Sequence, residues 1–290
     1  MSIRDIPVVG LGAGSQPGEE DGARLEFIAL PNDMTTFQRP EVPEPEAVQH
    51  LLGAKQAMDW LQEALNHYQV GSQALMADIT RLDTDSRELI NQILGEGEVS
   101  LKYAGTFRSR SQESVLAGVW RTFYLDERER LIHDLIEESD VSALARSRGS
   151  REPLSLAESA GAKVPPQVMN AVPILSELQD QRESFQPGQA AHVINLTLLP
   201  LSEDDTLFLD QRLGRGPVDI LSRGYGSCRV MSTAIPNIWW VRYYNSMGTL
   251  ILNTLEVVDV PLVACAALDD IEGSAHRLKE ILAPYWADMH

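Results

Sequence analysis

The residues best suited to chemistry lie in "RGYGSCRVMST", 223–233. A guanidinium beside a thiol lowers its pKa, and the thiolate is the form that attacks a disulfide or ligates a metal. Cys228 followed by Arg229 is therefore a candidate redox or metal-binding thiol. Glycines on either side of Tyr225 would let a partner approach the backbone there. Against this, Cys228 opens a strand, where a free cysteine packs as a small buried residue. Cys265, in "PLVACAAL", has an apolar setting that points to the core. Farther along comes the tandem Trp239–Trp240. Side chains alternate across a strand, so one indole is expected in the core and the other as an exposed anchor for a partner.

A second stretch, "PVVGLGAGSQPGEED" (7–21), places Gly10, Gly12 and Gly14 after two valines, in the manner of a dinucleotide loop. Such a loop needs a buried strand before it and a helix after it, whose N-terminus meets the pyrophosphate. Here only Val8 and Val9 precede the glycines, behind Pro7, and Gln, Pro, Gly and acids come after them. The stretch reads instead as part of a mobile, partly disordered N-terminal segment over 1–41. The six histidines are scattered without metal-ligand spacing, and no serine elbow or phosphate loop is present. Two cysteines are too few for an iron–sulfur cluster held by four thiolates. No catalytic, cofactor or metal site is assigned.

The 290 residues are 43% hydrophobic, enough for a sizeable core. No apolar run approaches the roughly 20 residues that span a bilayer, and no secretory signal is visible. Two cysteines fit a reducing compartment, so a cytoplasmic location is expected. The net charge is −18, spread along the chain without a basic stripe. That argues against nucleic acid and suits a basic partner.

The elements that would position these residues are written twice. Residues 82–141 align with 201–260 without a gap at an offset of 119. Leu82, Gly95, Gly97, Gly105 and Arg110 recur as Leu201, Gly214, Gly216, Gly224 and Arg229; Trp120, Tyr124, Glu137 and Asp140 recur as Trp239, Tyr243, Glu256 and Asp259. The first copy reads as helix 44–68, strand 74–80, helix 84–94 and strands 97–104, 113–124 and 128–138. The second reads as helix 166–184, strand 192–200, helix 201–214 and strands 216–224, 228–244 and 248–258. The expected fold is thus α+β, with two tandem duplicated αβαβββ units related by internal pseudo-symmetry. The first covers 42–141, a linker 142–163, and the second 164–290 with a C-terminal helix. Asp269 or Asp270 is expected to cap that helix, and Ile271, Ala275, Leu278, Ile281, Leu282 and Tyr285 to form its apolar face.

The stretch "GYGSCRVMSTAIPNIWWVRYYNSMGTLILNTLEVVDVPLVACAALDDIEGSAHRLKEIL" (224–282) resembles the HupH/HyaF/HoxQ family of nickel–iron hydrogenase expression and formation proteins. The resemblance extends to "INLTLLPLSEDDTLFL" (194–209), to "LGEGEVS" (94–100) and to Gly14–Ser15–Gln16–Pro17 near the start. It implies a non-catalytic chaperone or scaffold for the iron–sulfur small-subunit precursor of a hydrogenase, before export by the twin-arginine route. It also implies a thioredoxin-like accessory protein as a second partner. It carries no catalytic residues and no uniform cysteine at positions 228 and 265. A thiol redox or iron–sulfur delivery protein using Cys228, alone, with Cys265 or across a dimer, is the alternative. The candidate partner-binding residues are Tyr225, Cys228, Arg229, Trp239 and Trp240. The first unit has Gly105–Thr106–Phe107 and a single Trp120 at these places, so the second unit is expected to make the main contact.

Overall fold

The computed structural model describes residues 48–147, 164–223 and 226–286. The N-terminal segment 1–41, linker residues 148–163, Gly224 and Tyr225 lie outside the described residues. Helix α1 (Leu52–Asn66) buries Ala54, Met58, Leu61 and Leu65, one face at helical spacing. Helix α2 (Thr84–Leu94) starts at Asp83, whose side chain accepts from the Ser86 N–H at 2.8 Å. It ends at Gly95, where φ is 55°. Helix α5 (Glu203–Leu213) has the same design with the residues exchanged: Ser202 is the cap, Asp205 stands three places on, and Gly214 closes it at φ 61°.

Asp205 does more than its counterpart Ser86. It also accepts from the backbone N–H groups of Met169, Asn170 and Ala171 at 2.9, 2.8 and 3.0 Å. These open helix α4 (Ala171–Ser184), so one carboxylate closes two helix N-termini. Burial pushes its pKa up, but hydrogen bonds from the Ala171, Ser202 and Asn170 backbone and the Ser202 hydroxyl outweigh this and hold it at about 2.

Ten strands keep to the same plan: β1 (Leu75–Asp78), β2 (Val99–Ala104), β3 (Arg108–Glu113), β4 (Val119–Leu125) and β5 (Leu131–Glu138), then β6 (His192–Asn195), β7 (Val218–Arg223), β8 (Ser227–Ser232), β9 (Ile238–Tyr244) and β10 (Leu250–Val257). They form one antiparallel sheet in the order β1-β5-β4-β3-β2-β7-β8-β9-β10-β6. Strands β2 to β5 and β7 to β10 start and end 119 residues apart, as do α2 and α5.

Among the described residues each half therefore holds five strands, where αβαβββ provides four. The expected strand 228–244 is two, β8 and β9. Between them Pro236 has no N–H for a ladder and Asn237 takes φ 66°. In the first half the corresponding break is at Gly118, φ 79°. Strand β3 ("RSRSQE") escapes a propensity reading because its inward residues are serines. They are buried all the same: Ser111 Oγ lies 2.6 Å from Thr122 Oγ1.

Strand alternation divides the core between the faces of the sheet. On one face, α1 and α2 cover Val119 and Ile136, while α4 and α5 cover Ile238, Trp240 and Leu255. On the other, Leu101, Trp120, Ile220, Val230 and Trp239 pack beneath a short helix α3 (Ala143–Arg146) and Ala264. The C-terminal helix α6 (Leu268–Leu282) comes after Ala267 without a side-chain cap. Asp269 and Asp270 lie in its first turn instead, where they complement the helix dipole. Its Ile271 and Leu278, with Tyr285 beyond its end, join the first-half cluster, and Gln62 Nε2 donates to the Ala275 carbonyl at 3.1 Å. The helix thus packs on the half to which it does not belong in sequence. Among the described residues no helix is long and apolar enough to cross a membrane.

The shared cap and the buried acids of this framework set its stability. Asp205→Ala frees two helix ends and should cost at least about 2 kcal/mol in urea unfolding. Asp83→Ala, which frees one, should cost less, and equal costs would contradict the shared cap. Glu138, on β5, is buried with its Oε1 atom lacking a hydrogen-bond partner. Burial first, and Asp140 second, raise its pKa to about 7. The folded state therefore holds this proton more tightly than the unfolded state. Its contribution is present below the ordinary glutamate pKa and is lost as pH rises through about 7. Glu138→Gln should raise the melting temperature more at pH 8 than at pH 5; an equal shift at both would refute the assignment.

Candidate functional site

The β7–β8 hairpin carries Cys228 into a cleft of about 430 Å³. Ser222 and Arg223 come from the end of β7, Gly226 from just before β8, Ser227 from its start, and Tyr243 and Tyr244 from β9. Asn245, Ile251 on β10 and Glu98 complete the lining. The Arg223 N–H donates to the Glu98 carbonyl at 3.0 Å, so the residue just before β2 is held against the second half.

Cys228 is 6% exposed and shares the core cluster of Val230 and Trp239. Burial pushes its thiol up to about 12; the nearby Glu256 carboxylate adds to this and a hydrogen bond with the Tyr243 hydroxyl opposes it. Arg229 does not act on it. Alternation turns Arg229 to the helix-bearing face, where Nε donates to Asp219 Oδ1 at 3.0 Å and Nη2 to Asp219 Oδ2. The expected lowering of the thiol pKa is thus corrected: the neighbour in sequence is not the neighbour in space. Cys265 is half-buried, with Sγ 3.7 Å from the Pro261 carbonyl, and burial holds it too at about 12.

Neither tryptophan is an exposed anchor. Trp239 is 4% exposed and Trp240 3%, on opposite faces as expected. Both faces are covered here, so alternation buries both. Trp239 Nε1 donates to the Asp259 carbonyl at 3.0 Å, and Trp240 Nε1 to Asn253 Oδ1 at 2.6 Å. Tyr225 lies outside the described residues. Of the five candidates, the structure brings Cys228 to the cleft and leaves Arg229, Trp239 and Trp240 elsewhere. Residue type alone does not single out Ser222, Tyr243 and Ile251. Comparison of the two halves finds Ser222 and Gly226, where the first half has Tyr103 and Phe107; Tyr243 and Ile251 recur from Tyr124 and Ile132 and carry no such signal. Among the described residues no group of three or more His, Cys, Asp or Glu could hold a metal ion.

Comparison with known proteins decides the family. The family model described as "HupH hydrogenase expression protein, C-terminal conserved region" matches residues 51–158 and again 168–285. The chain belongs to the HupH family. The hydrogenase expression/formation protein HupQ of Azotobacter chroococcum is 44% identical over 283 residues, covering 97% of this chain and 98% of the relative. HoxQ of Cupriavidus necator, also named as a hydrogenase expression/formation protein, is 42% identical over 97% of this chain and 98% of its own. The hydrogenase-1 operon protein HyaF of Escherichia coli is 31% identical over 93% and 94%. The HupH family match covers both halves of the sheet and every described residue of the cleft from Ser222 to Ile251.

The thiol environment gives a direct expectation. Only the thiolate is alkylated at an appreciable rate. At neutral pH, iodoacetamide should label Cys228 in the folded protein at least about a hundredfold more slowly than in urea, as measured by peptide mass spectrometry. Equal rates would show a reactive thiol.

Proposed function

We propose that this HupH-family chain is a non-catalytic accessory protein of hydrogenase maturation, acting in the cytoplasm. In this reading it binds the iron–sulfur small-subunit precursor before assembly or export, alongside a thioredoxin-like accessory protein. Its relatives are named for hydrogenase expression and formation, which supports the process. The observation that favours a binding role over thiol chemistry is the state of Cys228. Its thiol lines an open cleft but is kept protonated, with the nearest guanidinium in sequence committed to Asp219 on the far face.

In the same reading the two halves descend from a tandem duplication and are related by a pseudo-twofold axis between β2 and β7. The constant offset of 119, the matching strand orders and the two separate family matches all support this. A duplicated binding scaffold can keep one copy for stability and specialise the other, and the cleft lies in the second half.

The net charge of −18 should speed encounter with a basic precursor by long-range attraction, which salt screens over about 8 Å at physiological strength. Titrating purified precursor into the protein should give an association rate that falls as sodium chloride is raised. Cys228→Ser should leave hydrogenase maturation intact in cells. Absence of any precursor binding, or loss of maturation with the variant still folded, would overturn the reading.

A further inference from the structure

The first half shows what fills the position of the cleft. Phe107, just before β3, stacks on Tyr103 with ring centroids 4.7 Å apart and meets Tyr124 at 5.3 Å. Tyr103 is buried in this arrangement. The corresponding residues 119 places on are Gly226, Ser222 and Tyr243. Two of the three rings are gone, the third lines the wall, and the cleft of about 430 Å³ stands there. The chain cannot restore the ring at Gly226 itself. A Cβ there would lie 2.3 Å from the Tyr244 carbonyl oxygen, a distance that real contacts do not reach.

The rim differs in the same direction. Where the first half has the charged hairpin turn Asp126–Glu127–Arg128–Glu129–Arg130, the second has Asn245–Ser246–Met247–Gly248–Thr249. Met247 is 87% exposed and Ile251, at the cleft, 56%. Leu198 is exposed too, and the bond from the Asn253 N–H to Thr197 Oγ1 at 2.8 Å brings its segment alongside β10 near Ile251. The shared fold does not require an apolar residue at Met247, where the first half has Arg128; Ile251 matches Ile132, itself exposed.

We propose that the cleft receives an aromatic side chain from a peptide segment of the bound partner, in the place that Phe107 takes in the first half. This rests on the reading that the chain binds the small-subunit precursor, and it names the chemistry of the contact. Tyr243 supplies the ring face, and Ile251 and Met247 the apolar rim. An aromatic group is favoured over an aliphatic one because offset rings gain from their quadrupoles beyond the area they bury.

Two probes test it on the full chain. The first is N-acetyl-phenylalaninamide, compared with N-acetyl-leucinamide, monitored by the Ile251 methyl signal in NMR. The phenylalanine probe should produce a saturable shift and the leucine probe a weaker one. Ser222→Tyr, which returns the first-half residue to the cleft, should abolish the shift, and a melting curve checks that it folds. The second probe is purified precursor, for which Ser222→Tyr and Ile251→Asp should each weaken affinity at least about tenfold, the scale of a buried aromatic anchor. No shift with the phenylalanine probe, or precursor binding indifferent to both substitutions, would overturn the proposal. So would a shift that appears only in Tyr225→Ala, since the chain's own Tyr225 would then be the occupant. Probe binding without any precursor binding would instead reject the proposed client and leave the aromatic preference standing.

Discussion

The pairing of β2 with β7 holds the rest together. Val99 to Tyr103 run against Ser222 to Val218, with Leu101 opposite Ile220. Unpaired, each half would present a full edge strand with open N–H and C=O groups, which invites association with other chains. Paired, the two strands become the middle of a ten-stranded sheet, and one core cluster draws on both halves, from Leu101 and Trp120 to Ile220 and Trp239. The seam is tied a second time above the sheet. Arg146 donates to both oxygens of Asp140, at 3.1 and 2.9 Å, and to Asp259 at 3.3 Å, and these aspartates are themselves 119 residues apart. The cleft inherits the constraint, because its Glu98 belongs to the first half and the rest of its lining to the second.

Where the halves differ in sequence they often keep a contact by exchanging its members. Asp83 caps α2 over Ser86, and Ser202 caps α5 over Asp205. Arg121 lies over the Phe123 ring at 5.5 Å, whereas Arg242 lies over the Trp240 ring at 4.6 Å, with the cation and the ring swapped along the strand. The buried pair Arg121–Asp134, with Nε 2.5 Å from Oδ1, becomes the neutral pair Trp240–Asn253. That exchange explains why Trp240 is inside. It replaces a buried ion, whose desolvation is costly, with an indole that keeps one hydrogen bond. The Tyr103–Phe107 stack has no such counterpart, and the cleft lies at the corresponding positions.

Which parts of this structure are legible in the sequence depends on which forces act locally. Helix α2 can be read to the residue and α5 to within two residues, because their caps and glycine stops are neighbours in the chain. The common offset is legible as well, since it needs only identity. Strand β3 is not, because its serines are inside under a cover supplied from elsewhere, Ser111 with Thr122 as its hydroxyl partner and Ser109 with none. The placement of α6 on the first half depends on Ile271 and Leu278 meeting Met58 and Leu61, more than 200 residues away. At the site, residue types point to the stretch around Cys228 but mislead about its chemistry. Adjacency to Arg229 suggests a low pKa, whereas a strand turns neighbours to opposite faces.

The distribution of charge completes the division between the halves. The hairpin of the first half is closed by ion pairs, Arg130 to Asp126 at 2.7 Å and Arg108 to Glu129 at 3.3 Å. Such exposed pairs add little to stability but keep a surface hydrated, and they resist burial against a partner. The matching hairpin of the second half is uncharged, with Asn245 Oδ1 accepting from the Met247 and Thr249 N–H groups to hold its turn. A surface of this kind is dehydrated at lower cost. The net charge of −18 acts at long range and favours encounter with any basic partner, but it cannot select one. In the proposed reading, selection falls to short-range contacts at the cleft, where two rings of the first half have no counterpart and the hairpin turn carries no charge.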